Sequence, residues 1–214
     1  MRGLQRLPEP QILIDRKVTW LSKLVASGKT RPDSSKYAHE SVKIQLNSMS
    51  FNKCLYCETK LKGKRKEIDH QIEVSVNINL SFEWTNLFLS CDNCNNKIPH
   101  STISISDTLN PCIHSDEEIM EHITFDDEII KPKNNSLFGL KTIQKYRLDT
   151  EILDTRRLKS LKLFYKLILE IKKNQVNESR NTLTPEELNA INQFKMINHS
   201  YSLMFRILIE KNDL

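Results

Sequence analysis

Four of the five cysteines in this chain of 214 residues fall into two CxxC pairs, Cys54/Cys57 and Cys91/Cys94. Each CxxC turn can present two thiolates to one ion, and four thiolates close the tetrahedral coordination of a structural Zn2+. Such a site leaves no position open for water or substrate. The zinc would therefore act as a staple between the approach to a strand and the start of a helix, and catalysis would belong to other residues. An iron–sulfur cluster or a redox dithiol is the minor alternative, because the spacings those sites use are absent. Cys112, left over, reads as a small packed side chain.

The rest of the chain sets the staple in a helical body. Ile14, Val18, Leu21 and Val25 recur at helical spacing, and Gly28 with the turn-forming KTRPDSS ends that pattern. A second helix is expected from about Lys36 to Met49, with Val42, Leu46 and Met49 on one face. KEIDHQIEV and WTNLFLSC read as strands of a small hairpin, followed by a helix beginning near Cys94, and HITFDDEIIKPK reads as a second hairpin. From Asp154 the positions Leu158, Leu161, Tyr165 and Ile168 form a helical stripe. Thr184-Pro185-Glu186-Glu187 is a capping box opening a last helix that carries Leu188, Ile191, Tyr201, Phe205 and Leu208. The expected fold is α+β: a small zinc-stapled ββα-metal centre flanked by N- and C-terminal helices. The divisions are an N-terminal helical region 1–50, a core 51–110, and a region 111–214 with a hairpin and helices suited to docking a partner.

A net charge of +5 is only a mild pointer to a polyanion, and distribution matters more. Lys60, Lys62, Lys64, Arg65 and Lys66 crowd the loop before Asp69-His70, where they could contact phosphate. Arg156, Arg157 and Lys159 belong to a basic helical stretch read as surface. Arg2, Arg6, Arg16 and Lys17 interrupt the first thirty residues, which hold no secretory leader pattern. No segment approaches the roughly 18 apolar residues of a membrane span, so the reading is a soluble cytoplasmic protein.

The zinc pairs frame Asp69, His70, Asn86 and Asn95. Phosphodiester hydrolysis needs a water deprotonated near neutral pH and a cation to offset charge on the phosphate and leaving oxygen. His70 is a base of suitable pKa, and Asp69 and Asn95 are hard oxygen ligands for Mg2+ or Mn2+. The order CxxC, Asp-His, Asn before an apolar LFLS strand, then CxxC with Asn directly after its last cysteine resembles the HNH endonuclease family over about forty-five residues. That resemblance implies His70 as general base, Asn86 orienting its imidazole, and Asp69 with Asn95 holding the catalytic ion. Asn95 stands where the family's eponymous third residue is His, which favours oxygen ligation of a Mg2+-type ion over zinc. Lys97, expected on the first turn of the helix, would touch phosphate, and His100 reads as surface more readily than as an extra ligand.

Beyond the centre, DTLNPC, HITFDDEII and TIQKYRLDTEILDTRR are similar to the HNH subunit of Septu anti-phage systems and to retron-associated HNH proteins. This likeness implies a defence effector acting on DNA, or on RNA such as tRNA. It also implies an ABC/SMC-like ATPase partner (PtuA-like) and, in some systems, a retron reverse transcriptase with its msDNA. The chain has no GxxxxGK[ST] loop, so ATP control would come from that partner. The competing readings are a nonenzymatic zinc module that binds nucleic acid, which leaves the four framed residues unexplained, and a zinc deaminase, whose HxE and PCxxC signatures are missing.

Overall fold

A computed structural model describes residues 1–62 and 66–212. Helices α1 (Gln11–Ala26), α2 (Ser34–Tyr37) and α3 (Glu40–Met49) precede an antiparallel pair, β1 (Glu67–His70) and β2 (Leu87–Ser90). Asp69 lies opposite Phe88 and His70 opposite Leu87 in that pair. The short helix α4 (Asp92–Asn95) closes the ββα unit. There follow α5 (Asp116–His122), the hairpin β3 (Ile123–Asp126) and β4 (Ile129–Pro132), and helices α6 (Leu137–Lys145), α7 (Glu151–Asn177), α8 (Pro185–Lys195) and α9 (Ser202–Lys211).

Four expectations change. The buried face of α1 carries Leu13 and Leu24, with Trp20 packed against the core, while Ile14, Val18 and Val25 are exposed. Apolar residues fall on both sides of this helix, so spacing alone did not choose the face. The second expected helix is two, parted at Ala38-His39, where His39 turns to extended backbone and caps α3 through Ser41 N–H. Helix α7 starts at Glu151, and Tyr165 on its expected core stripe is exposed, its hydroxyl donating to Asp127 at 2.5 Å. The last expected helix breaks into α8 and α9, with Tyr201 at φ +58° between them.

That break has a cause. The Glu58 carboxylate accepts from Ser202 N–H (3.1 Å), Leu203 N–H (3.3 Å) and Ser202 Oγ (2.7 Å), filling the open N-terminus of α9, and it pairs with Lys53 at 3.1 Å. Burial works against the charge, but Lys53 and the Ser202 hydrogen bond hold Glu58 well below the usual carboxylate range. The C-terminal helix is thereby docked on the turn that carries Cys54 and Cys57. Arg6 lies over the Phe88 ring, 4.6 Å from its centroid, and donates to Trp84 O at 2.7 Å, tying the N-terminal segment to β2.

Arg157, expected on a basic surface, is 2% exposed. It donates to Leu148 O (2.6 Å), to Glu128 O (3.3 Å) and to Asp154 (2.8 Å), joining α7 to the hairpin turn and to the residues that precede α7. The exposed basic side chains of α7 include Lys159, Lys162 and Lys166. Among the described residues no helix is long and apolar enough to cross a membrane.

Candidate active site

The four cysteine sulfurs lie within 4.8 Å of one another, all buried, and could hold a zinc ion. The Cys57 and Cys91 sulfurs are 3.7 Å apart, against the ~3.8 Å edge of a tetrahedron with Zn–S near 2.3 Å. Burial pushes the Cys54 and Cys94 thiols well up. At Cys57 the same penalty is outweighed by hydrogen bonds with the neighbouring sulfurs and Thr59, which hold it well below the usual thiol value. Burial opposes charge on these sulfurs, a penalty that a divalent cation among four thiolates would offset.

The knuckle also shapes the chemistry beside it. Tyr56, between the first two cysteines, stacks on Tyr146 with ring centroids 4.1 Å apart and donates its hydroxyl to Asp69 Oδ2 at 2.7 Å. Lys97 donates to Asp69 Oδ1 and to the His70 carbonyl, the latter at 2.7 Å. Burial raises the Asp69 pKa above the ordinary carboxylate value, although Lys97 and Tyr56 oppose it. Lys97 does not sit on the first turn of a helix: α4 runs Asp92–Asn95, and Lys97 lies just past its Asn96 cap. The following Ile98 N–H bonds Lys145 O, and Pro99 blocks continuation of the helix.

His70 Nε2 lies 2.9 Å from Ser81 O. A carbonyl only accepts, so this contact assigns the proton to Nε2 and leaves the Nδ1 lone pair free to accept a proton. Burial lowers the His70 pKa, the Ser81 carbonyl raises it and Lys97 lowers it, with a net downward shift that keeps the imidazole neutral. Tyr37 meets the ring edge-on at 4.6 Å between centroids.

Asn86 was expected to orient the imidazole. Its amide accepts from Ile72 N–H (2.8 Å) and donates to Ile72 O (3.0 Å) and Leu80 O (3.2 Å). It closes the loop of residues 71–86 at its base and holds Leu80, the neighbour of the Ser81 carbonyl that His70 meets. Its influence on His70 therefore passes through that loop.

Asp69, His70, Asn95 and Lys97 line one cleft of about 620 Å3, together with Glu73, Tyr37 and Arg31. Asn95 is exposed and its side chain makes no hydrogen bond with any described residue. Glu73, unremarked in the sequence, accepts from the fully buried Lys145 at 3.4 Å and from His100 N–H at 3.3 Å. His100 thus contributes its backbone there, and its Nδ1 accepts from Ile105 N–H. The oxygen donors Asp69, Asn95 and Glu73 fit a hard divalent cation, and the Lys97 ammonium between Asp69 and the His70 carbonyl marks where positive charge is stabilised. Glu73 and Tyr37 carried no signal in the sequence, since each depends on a loop whose path the tertiary fold sets.

The basic loop fares differently. Lys66 Nζ donates to Asn47 and Asn52 side chains, Lys62 is exposed, and neither lines the cleft. Lys60 donates to the Phe51 and Asn198 carbonyls. Lys64 and Arg65 lie outside the described residues.

A ββα unit with an Asp-His strand end, an Asn-closed loop and a cysteine knuckle is the arrangement of an HNH nuclease, and residues 54–101 match the HNH endonuclease family. The chain is 30% identical over 220 aligned positions to the Septu protein PtuB of Bacillus mycoides (strain KBAB4), covering 86% of this chain and 73% of that protein. It is 32% identical over 99 positions to the Septu protein PtuB of Bacillus thuringiensis, covering 45% and 37%. The chain belongs to the Septu PtuB family and is an HNH endonuclease.

Proposed function

We propose that this chain hydrolyses nucleic-acid phosphodiester bonds as the metal-dependent effector subunit of an anti-phage complex with an ATPase partner of the PtuA type. The observation that carries the reading is the imidazole of His70: its Nε2 proton is directed at Ser81 O, and its neutral Nδ1 is left as a base beside Asp69 in the cleft. His70 removes a proton from the attacking water at Nδ1. Asp69 and Asn95 would hold Mg2+ or Mn2+, with Glu73 lining the same cleft, and such an ion would supply positive charge to offset that on the scissile phosphate and leaving oxygen. Lys97 supplies a further positive charge on this floor. Asn86 keeps Ser81 O in place and so acts as a positioning residue. The cysteines would hold Zn2+, and Tyr56 in the same turn fixes one oxygen of Asp69.

Region 111–214 is the natural candidate for docking the ATPase, with the exposed lysines of α7 available to an acidic surface on that partner. A retron reverse transcriptase with its msDNA would be a further partner in some systems. The test is incubation of the purified chain, with and without its ATPase, with plasmid, single-stranded DNA and tRNA in Mg2+ or EDTA. Mg2+-dependent cleavage of at least one substrate is expected, and no cleavage of any substrate in either state contradicts the reading.

A further inference from the structure

The groove beside His70 continues past the reacting centre. A second depression, lined by Val25, Gly28, Lys29, Val76 and Ile78, shares Thr30, Val74 and Ser75 with the first, so the two form one trough. One wall is the segment 28–37, which leaves α1 through Gly28 at φ +64° and ends at Tyr37 against the His70 ring. The other wall belongs to the loop that Asn86 closes.

The charges along this trough differ in availability. Lys97 is bound to Asp69 and Lys145 to Glu73. Arg31 and Lys29 are exposed, and neither forms an ion pair among the described residues. Asp33, the nearby anion on this wall, caps α2 by accepting from Ser35 N–H at 2.9 Å. Val25 and Val76 bring exposed apolar surface to the far end, at 54% and 51% exposure. Cations on one wall above apolar surface suit a nucleic-acid strand, whose phosphates and base faces require both.

We propose that segment 28–37 is the substrate-binding wall of the nuclease. Arg31 and Lys29 contact phosphates that flank the scissile one, and Tyr37 fixes this wall against the general base. The proposal rests on the nuclease reading for the position of the scissile phosphate, but phosphate binding by Arg31 is measurable without cleavage.

In a His70→Ala background, anisotropy with short labelled single strands of DNA and of RNA is followed from about 50 to 200 mM salt. Arg31→Ala should weaken binding about fivefold at the low end and reduce the slope of log affinity against log salt by ~0.7, the value for one phosphate on a single strand. Lys159→Ala, on the exposed face of α7, is the control and should leave both unchanged. The strand type that shows the Arg31-dependent slope identifies the backbone the groove accepts. In the active chain, Arg31→Ala should raise KM and leave kcat within about twofold, since binding lost equally in ground and transition states appears in KM. Tyr37→Ala should lower kcat, and Tyr37→Phe should restore it, because the ring alone meets His70. An Arg31→Ala protein with wild-type affinity and slope on both strands, an equal loss in Lys159→Ala, or the absence of binding by either strand at low salt would each overturn the proposal. Persisting cleavage in His70→Ala would instead overturn the assignment of the base and leave the Arg31 result standing.

Discussion

In the proposed mechanism, Asn86 organises the catalytic centre without touching the reacting groups. Its amide accepts one hydrogen bond and donates two, joining Ile72 to Leu80, and Ser81 O meets the imidazole. Asn86→Ala would leave a buried donor and two acceptors without partners, a loss of about 2 kcal/mol. In a domain of this size that corresponds to a fall of roughly 6 °C in Tm. Activity should fall far more than the small unfolded fraction explains, because the loop carrying Ser81 loses its closure. Calorimetry and a cleavage assay on the same sample check both effects, and an unchanged kcat would remove Asn86 from the mechanism. The residue itself was legible, since Asn before an apolar strand and between two CxxC pairs is a specific pattern. Its partners were not, because they lie on a loop whose course depends on Trp84, Arg6 and β2 packing around it. The position of Lys97 was misread for a related reason: the knuckle starts α4 at Asp92, ahead of the expected start near Cys94, and ends it at Asn95, so Lys97 falls on the segment that leaves the helix and reaches Asp69.

At the scale of elements, period and capping chemistry were good guides to which segments form helices and poor guides to their faces and breaks. The capping box at Thr184 is present, with Glu187 N–H to Thr184 Oγ1 at 3.2 Å and Thr184 N–H to Glu187 at 3.0 Å. The break before α9 follows from Glu58, a residue far away in the chain, and no local pattern carries it. Arg157 makes the same point in α7: three consecutive turns of basic residues look like one surface, yet one of them anchors the helix through backbone carbonyls. Arg157→Glu should cost about 4 kcal/mol, by placing an unpaired charge where a hydrogen-bonded cation stood. Lys159→Glu should leave stability within about 0.5 kcal/mol. Urea unfolding of the two variants distinguishes them, and equal midpoints would return Arg157 to the surface. Helix α6 has a comparable point of close approach, where a Cβ on Gly139 would meet His122 O at 2.0 Å. Gly139→Ala should therefore destabilise by about 3 kcal/mol, since backbone must move, and a wild-type Tm would contradict that packing.

For the whole molecule, the cysteine knuckle joins the ββα centre to the C-terminal helix: Glu58 docks α9, and Tyr56 reaches Asp69. Metal at the four sulfurs is therefore expected to support the fold and the site together. Elemental analysis should find about one zinc per chain, and Cys94→Ser should lose the zinc and the soluble protein. A folded, freshly purified chain without metal would contradict this. The α+β class and the cysteine quartet could be read from the sequence because ligand chemistry fixes both residue type and spacing, while the trough beside His70 required the fold to bring residues 28–37 against β1.

The central claim is that His70 is the base of a metal-dependent nuclease. The most direct test is cleavage by wild type and His70→Ala, each assembled with the ATPase, in Mg2+ or Mn2+. Zinc content and Tm are matched beforehand so that folding is not at issue. Loss of at least ~100-fold in cleavage, with complex formation and Tm unchanged, is the result this account predicts, the scale expected for removing a positioned general base. Wild-type cleavage by the folded, zinc-loaded His70→Ala complex would contradict it.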